Sequence, residues 1–185
     1  VAGGSIDPDP EEIGGIRWRV QGDPTWYEWA GQNVEWGFKQ NLNINELIVL
    51  DGVLSLGDQS FANNQITSLV LPNSVQRIGQ NAFLSNALTH LEIGSGVTLI
   101  DNYAFKDNQL ESVTIHAVNP PDFFSLSYLP FDNNPLTAIY VPAQSVAAYK
   151  SNQYWSVYSE LIYNGQADDL TLINSSNQIL YKAGD

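Results

Sequence analysis

The side chains that could do chemistry in this 185-residue chain are few, and they begin with its two histidines, His90 and His116. Two histidines can bind a metal ion or relay a proton when both rings reach the same point. Here they occupy the third and the seventh position of successive units of a repeat. On adjacent strands, about four residues, or ~13 Å, would separate them. We therefore expect them to share neither a metal ion nor a proton.

Other catalytic arrangements are also missing from the sequence. There is no cysteine, and none of the strings H-E-x-x-H, G-x-S-x-G or a P-loop occurs. The adjacent carboxylates of Asp168 and Asp169 could help to hold Ca²⁺ weakly, but an exposed acidic pair is usually only solvated. The sequence therefore predicts no catalytic residue, no cofactor and no metal site, and a protein that is not an enzyme.

Charge and hydropathy narrow the range of partners. Seven Lys and Arg residues stand against twenty Asp and Glu residues, which gives a net charge of −13. Such a chain repels phosphate backbones and anionic lipid. No apolar run approaches the ~20 residues of a membrane span. We therefore expect no nucleic-acid partner and no membrane insertion. An acidic repeat protein of this size is expected to be a monomer, unless an uncovered sheet edge pairs.

A repeat organises most of the chain. Equivalent apolar residues recur every 22 positions, at Ile44, Ile66, Leu88 and Leu110. Apolar pairs follow each of them after three and five positions, which predicts a short strand with one buried face. The pairs are Leu47/Val49, Leu69/Leu71, Leu91/Ile93 and Val113/Ile115. Because one unit cannot enclose a core alone, the units must stack. We predict a β-rich, right-handed solenoid with a parallel sheet on one side and a wall of Val, Ile and Phe on the other.

Two further columns repeat with the same period. The first consists of Phe61, Phe83, Phe105 and Phe131, and the second of Asn64, Asn86, Asn108 and Asn134. We expect the phenylalanines to form a buried stack. The asparagines would form a ladder of hydrogen bonds to backbone groups that tight turns leave unpaired, with ligand binding as the alternative. The fourth unit has 26 residues because it contains the insertion "NPPDFFSLSYLP", which we expect to be a loop on one face.

The strands also define a candidate binding face. Residues between the buried positions should point away from the core. They include Ile48, Ser68, Val70, His90, Glu92, Thr114 and Tyr140, together with Ala138. This mixed surface could bind a partner, and the alternative is an ordinary solvated sheet.

The repeat units resemble a known family. The segments "ITSLVLPNSVQRIGQNAFLSN" (66–86) and "LTHLEIGSGVTLIDNYAFKDN" (88–108) resemble the BspA-type leucine-rich repeats of bacterial surface proteins, which are found in Bacteroidetes. Residues 141–162 are similar to the closing segment of those proteins. The resemblance implies a secreted, non-catalytic protein that mediates adhesion to a host or cell-surface protein or glycan. It also implies an extracellular or cell-surface location, with outer-membrane attachment through a removed N-terminal segment.

The chain divides into four predicted parts. Residues 1–15 form a flexible acidic, Gly- and Pro-rich tether, and residues 16–43 an N-terminal aromatic cap. Residues 44–162 contain the repeats and the closing segment, in which Ser145 should be the N-cap of the short helix "VAAYKS". Residues 163–185 form a hairpin, either paired with the last strand or belonging to a further domain.

The aromatic cap contains Trp18, Trp26, Tyr27 and Trp29, with Trp36 and Phe38 following. Large aromatic side chains could cover the first turn of the solenoid, in which case most rings would be buried. They could instead stack on sugar rings, with Asp23, Glu28 and Asn33 binding hydroxyl groups, in which case the rings would be exposed. Beside adhesion, the sequence thus leaves two functions open, a carbohydrate-binding module and a structural spacer.

Overall fold

Short strands recur along the chain because each turn buries alternate apolar side chains. The computed structural model describes residues 14–34 and 42–165, and the backbone of 172–173 and 179–181. Its strands are β1 (Gly15–Val20), β2 (Tyr27–Ala30), β3 (Asn33–Val34), β4 (Ile44–Val49), β5 (Ser55–Leu56), β6 (Ser68–Leu71), β7 (Arg77–Ile78), β8 (His90–Ile93), β9 (Leu99–Ile100), β10 (Ser112–Ile115), β11 (Ala138–Val141), β12 (Ile162–Asn164), β13 (Leu172–Ile173) and β14 (Ile179–Tyr181). The helices are α1 (Val146–Ser151) and the 3₁₀ segments Ala143–Ser145 and Trp155–Leu161.

The first parallel sheet contains three of the four strands that the apolar pairs predict, β6, β8 and β10, whereas the pair Leu47/Val49 lies on β4 in another sheet. The order of the first parallel sheet is β12-β11-β10-β8-β6, so its repeat strands lie side by side in chain order. In β6, Leu69 and Leu71 are buried while Ser68 and Val70 are exposed. This alternation is the mark of a strand with one face on the core, and it fixes the register of the whole sheet.

The wall opposite contains a second parallel sheet of two-residue strands. Its order is β3-β5-β7-β9, and the second residue of every strand is fully buried. These residues are Val34, Leu56, Ile78 and Ile100, again 22 positions apart. The repeat pattern predicts this apolar wall but not its strands. In this sheet the 22-residue repeat begins with β3 (Asn33–Val34). This strand precedes Leu47/Val49, the first of the apolar pairs from which the repeat was identified.

An antiparallel sheet lies at the N-terminal end. β1 pairs with β2 on one edge and with β4, the first repeat strand, on the other. Ile16 is fully buried, and Trp18 and Trp29 pack against the core. The edge of β4 that β1 covers therefore offers no unpaired backbone row to another chain. Most of the predicted tether (residues 1–13), Trp36, Phe38, Asp168 and Asp169 lie outside the described residues.

The asparagine column makes the same set of hydrogen bonds in three successive turns, and Asn64 makes the bonds of this set to Ile44 and Phe61. The Oδ1 of Asn108 accepts from the backbone N–H of Leu88 at 3.0 Å. Its Nδ2 donates to the carbonyl of Phe105 in its own turn at 3.0 Å and to that of Phe83 in the turn before at 2.9 Å. Asn86 and Asn134 repeat the pattern. Each side chain thus satisfies buried backbone groups of two turns at once.

The phenylalanine column forms a continuous stack in the core. Neighbouring ring centroids lie 5.4 Å apart from Phe61 to Phe83 and from Phe83 to Phe105, and 5.6 Å apart from Phe105 to Phe131. The rings are within 14° of parallel. Stacked rings bury large areas on both faces. Burial of this column therefore contributes much of the hydrophobic stabilisation between one turn and the next.

Two tight corners in each of the first three repeat units, and one in the fourth, use the left-handed backbone region. One column has positive φ at Asn63, Ser85, Asp107 and Asn133, with values from 53° to 58°. Asn and Asp tolerate this conformation better than other residues that carry a side chain. Three of the four positions hold one of them, and Ser85 is the exception.

Replacing Ser85 with asparagine should therefore stabilise the protein. We expect a gain of about 0.5 kcal/mol in the free energy of unfolding, because the left-handed φ becomes less costly. Urea denaturation measures it. Ser95→Asn is the matched control, since Ser95 does not adopt a positive φ. Equal effects of the two substitutions would contradict the backbone explanation.

The closing segment buries two large aromatic side chains. Tyr149 donates its hydroxyl to the carbonyl of Ala117 at 2.9 Å, and the Nε1 of Trp155 donates to Pro121 at 2.6 Å. Both side chains are fully buried. α1 follows Ser145, but the expected side-chain cap is wrong, because the Ser145 hydroxyl makes no capping bond. Residues 143–145 are already helical, so Ser145 lacks the extended backbone that a serine N-cap requires.

Two buried tyrosines give the protein a predicted alkaline limit. Burial raises the pKa of Tyr149 and of Tyr158 above the usual tyrosine range. In the unfolded chain these hydroxyls ionise near pH ~10, so their contribution is complete below that pH and is lost as the pH rises above it. We expect thermal melts by circular dichroism to show falling stability above pH ~10. Tyr149→Phe/Tyr158→Phe should have a flatter profile, and an unchanged slope would contradict this.

Candidate functional site

The outward face of the first sheet brings several predicted residues into one row. Register pairs join Val70 to Glu92, Glu92 to Thr114, Thr114 to Tyr140, and Tyr140 to Tyr163. We call these five residues the outer row. Neighbouring strands lie about 4.8 Å apart, so the row spans about 19 Å. Val70, Tyr140 and Tyr163 are exposed, with 52%, 38% and 47% of their surface accessible.

The last member of the outer row was missed by the sequence analysis. Tyr163 lies in β12, which adds a fifth strand beyond β11. Its ring lies 6.4 Å from that of Tyr140, centroid to centroid. A three-residue strand directly after a helix shows too little alternation to be recognised. A second difference concerns Ala138, which was expected to point outward and is buried instead.

The outward face continues onto the N-terminal antiparallel sheet. Ile48 is exposed on β4, which lies beside β6. On the same face Arg17 contacts Glu28 at 2.8 Å, and Arg19 pairs with Glu46. Partly exposed ion pairs of this kind contribute little to stability. Among these side chains at the N-terminal end of the face, Ile48 is apolar and the others are charged and paired.

The histidines lie apart on this face. His90 pairs in register with Ser68, at the start of the strands, whereas His116 follows the end of β10. His116 Nε2 lies 3.4 Å from a carboxylate oxygen of Glu92. A shallow cavity of about 410 Å³ opens beside this pair, and Asp51, Val70 and Asn73 contribute to its wall. Within the described residues, no three His, Asp, Glu or Cys side chains are grouped as a metal site would require.

The aromatic residues of the N-terminal sheet divide into two groups. Trp18 and Trp29 are half-buried against the core, and Trp18 stacks on Tyr27 with centroids 5.8 Å apart. Trp26 and Tyr27 are 39% and 41% exposed. The guanidinium of Arg19 lies 5.2 Å from the centre of the Trp26 ring. The two exposed rings thus have separate neighbours and do not form one stacked pair.

A small polar network lies beside Tyr27. Asp23 accepts hydrogen bonds from the backbone N–H of Thr25 at 2.9 Å and from the Tyr27 hydroxyl at 2.8 Å. The Thr25 bond, followed by that of Tyr27, holds the pKa of Asp23 below its usual value. The hydrogen bond between Tyr27 and Asp23 also raises the pKa of the Tyr27 hydroxyl. Of the other polar candidates, Glu28 pairs with Arg17, and Asn33 accepts a hydrogen bond from Ser55 at 2.9 Å.

Most of the described chain matches a known protein family. Residues 35–159 match the model of the BspA type leucine rich repeat region, in six copies. Four full units and a closing segment were identified from the sequence, so the family model places additional copies in the same stretch. No curated protein matches the chain. None of the helices in the described ranges is long and apolar enough to cross a membrane.

Proposed function

Because the chain belongs to the BspA-type leucine-rich repeat family, we propose that it is a secreted adhesion protein of a bacterial surface. Repeats of this family are generally protein-interaction modules without catalysis, and they are typically found on bacterial surfaces or in secreted proteins. In this chain the outer row is the proposed binding site, and its partner is a protein of a host or of another cell. Ser68 and His90 would extend the contact toward the start of the strands.

The observation that carries this proposal is the row of exposed side chains in strict register. Val70, Tyr140 and Tyr163 present apolar surface on a rigid sheet, and Glu92 and Thr114 lie between them. Tyrosine and apolar anchors on a rigid scaffold lose little conformational entropy on binding, which favours recognition of a protein surface. A sheet that only faces water would not need three large apolar side chains in one row.

A glycan site on the N-terminal sheet is the second candidate. Trp26 and Tyr27 are exposed although Trp18 and Trp29 pack inward. Asp23 lies beside Tyr27 and could accept a hydrogen bond from a sugar hydroxyl. The difference in exposure supports two roles for one aromatic segment, with the half-buried Trp18 and Trp29 acting as a cap.

The finer architecture belongs to the same proposal. We infer a right-handed solenoid in which residues 16–43 close the first turn, and in which α1 and the 3₁₀ segment after it close the last. Burial of Ile16 at one end and of Tyr149 and Trp155 at the other supports both caps. β13 and β14 pair with each other as an antiparallel hairpin. Of the predicted C-terminal part, residues 163–185, Tyr163 and Asn164 pair with β11 in the first sheet, and we propose that the hairpin beyond β12 forms a separate unit. The N-terminal tether is proposed to connect the repeats to the cell surface.

Binding to cells tests the outer row. Fluorescently labelled wild-type protein should bind cultured epithelial cells saturably, and Val70→Glu/Tyr140→Ala should weaken binding by about tenfold or more, because both anchors are lost. Val157→Glu is the matched control, since Val157 is equally exposed but lies outside the sheet.

Two further treatments separate the candidates. Protease treatment of the cells should abolish binding to a protein partner, whereas glycosidase treatment should leave it intact. Sensitivity to glycosidase, with loss of binding in Trp26→Ala, would move the site to the N-terminal sheet. Equal binding by wild type and Val70→Glu/Tyr140→Ala would exclude the outer row. Absence of any saturable binding would favour a structural spacer.

A further inference from the structure

The insertion that breaks the repeat period exposes an unusual amount of apolar surface. Three large apolar side chains of the insertion are exposed, and so is Val118 directly before it. We call these four residues the insertion patch: Val118, Phe124, Leu126 and Tyr128. Phe124 is the most exposed of the four, with 66% of its surface accessible. Single exposed apolar residues are ordinary, but a group of them in one short segment marks an interaction site.

The segment is firmly held by the core beneath it. Phe123 is buried, and its ring lies 5.1 Å from Tyr154 and 5.8 Å from Trp155, centroid to centroid. The carbonyl of the preceding Pro121 accepts the hydrogen bond from the Trp155 indole. Phe123 is thus an anchor that fixes where the next residue, Phe124, points.

Backbone bonds hold both ends of the insertion to the repeat. The N–H of Ile100 donates to the carbonyl of Asp122 at 2.9 Å, which extends the second parallel sheet by one bridge. At the other end the N–H of Phe105 donates to Pro130 at 2.9 Å. Between them, the Tyr128 ring packs edge-on against Tyr103 at 5.4 Å. Exposed side chains on a segment that is held in this way lose little conformational entropy on binding.

The charges next to the patch indicate the kind of partner. From residue 117 to residue 149 the only charged side chains are Asp122 and Asp132, and both are exposed. From a neighbouring turn, the Nζ of Lys106 lies 4.4 Å from the centre of the Tyr103 ring, against which Tyr128 packs. The whole chain carries a net charge of −13. A second copy would bring the same carboxylates against each other, and an anionic membrane would be repelled. An apolar segment flanked by Lys or Arg would meet both the patch and its carboxylates.

We propose that the insertion patch is a second docking surface, separate from the outer row, and that it binds a protein segment with apolar side chains flanked by basic ones. The insertion continues the second sheet, whereas the outer row lies on the first. The two surfaces can therefore be tested independently.

Selection of random 12-residue peptides on the full chain tests the proposal. Enriched peptides should combine Leu, Phe or Trp with Lys or Arg. Phe124→Ser/Leu126→Ser should raise their Kd by about tenfold or more, and Asp122→Asn/Asp132→Asn should raise it and reduce its dependence on salt. Ile48→Ser/Val70→Ser, on the outward face that β4 and the first sheet share, should leave the Kd unchanged.

Four outcomes would overturn the proposal. The first is a failure to enrich any such peptide, or equal peptide affinity for wild type and Phe124→Ser/Leu126→Ser. The second is weakening by Ile48→Ser/Val70→Ser, which would assign these peptides to the outer row. The third is a wild-type dimer in sedimentation velocity that Phe124→Ser/Leu126→Ser loses, which would make the patch a contact between two copies. The fourth is Phe124-dependent cosedimentation with phosphatidylcholine vesicles, which would make it a lipid contact.

Discussion

Asn108→Ala is expected to lower the free energy of unfolding by about 4 kcal/mol, because it leaves several buried backbone groups without a partner. The N–H of Leu88 loses its acceptor, and the carbonyls of Phe83 and Phe105 lose a donor. For a chain of this length, that loss corresponds to a fall of about 10 °C in Tm. Urea denaturation and thermal melts followed by circular dichroism measure both quantities.

The control is an asparagine that makes one exposed hydrogen bond. Asn73 accepts from the N–H of Ser95 at 2.8 Å on the surface, so Asn73→Ala should cost less than about 1 kcal/mol. If Asn73→Ala and Asn108→Ala were equally destabilising, burial of the asparagine column would not be the reason for its effect.

A charged replacement at the same position adds a pH test. Asn108→Asp keeps an acceptor for Leu88 but directs a negative oxygen at the carbonyls of Phe83 and Phe105. Repulsion and burial should raise the pKa of this carboxyl in the folded chain. Its penalty is therefore present at neutral pH and decreases as the pH falls toward about 5. Asn108→Asp should thus be less stable than Asn108→Ala at pH 7 and approach it in acid.

Phe83→Ala is expected to cost about 4 kcal/mol, because it removes the central ring of the stack. Phe83 is fully buried and has a ring on each side at 5.4 Å. The cavity that remains cannot be filled by Phe61 or Phe105, since each is held in its own turn. Chemical denaturation should show a lower midpoint for unfolding.

The same substitution at an exposed phenylalanine is the matched control. Phe124→Ala should change the free energy of unfolding by no more than about 0.5 kcal/mol, because Phe124 is mostly exposed. A loss at Phe124 comparable with that at Phe83 would show that the phenylalanine stack is not a principal source of stability.

The first sheet and the two columns could be predicted because their information is local and repeated. A strand such as β6 alternates buried Leu69 and Leu71 with exposed Ser68 and Val70, and the 22-residue step repeats that pattern along the chain. When the units stack, equivalent residues of successive units lie next to each other. The same alternation predicts which residues belong to the outer row, from Val70 to Tyr140.

The parts that the sequence did not reveal have shorter or less regular patterns. The strands of the second sheet are two residues long, which is too short for alternation to appear. Tyr163 joins the outer row only because helical residues 155–161 return the chain to the edge of β11. Trp26 is exposed, whereas Trp18 packs against the core. This difference depends on the pairing of β1 with β2, which residue types alone do not specify.

The 22-residue step of the hydrogen bonds also bears on how such a protein could change length during evolution. Asn86 and Asn108 connect each turn to its neighbour by equivalent bonds. Tandem duplication of residues 66–87 in the gene would therefore insert a turn that fits on both sides. Each copy would lengthen the outer row by about 4.8 Å. The fourth unit is not interchangeable in this way, because Phe123 must meet Trp155. The length of the outer row could thus change with the number of repeat units in the middle of the chain, while both ends of the chain stay unchanged.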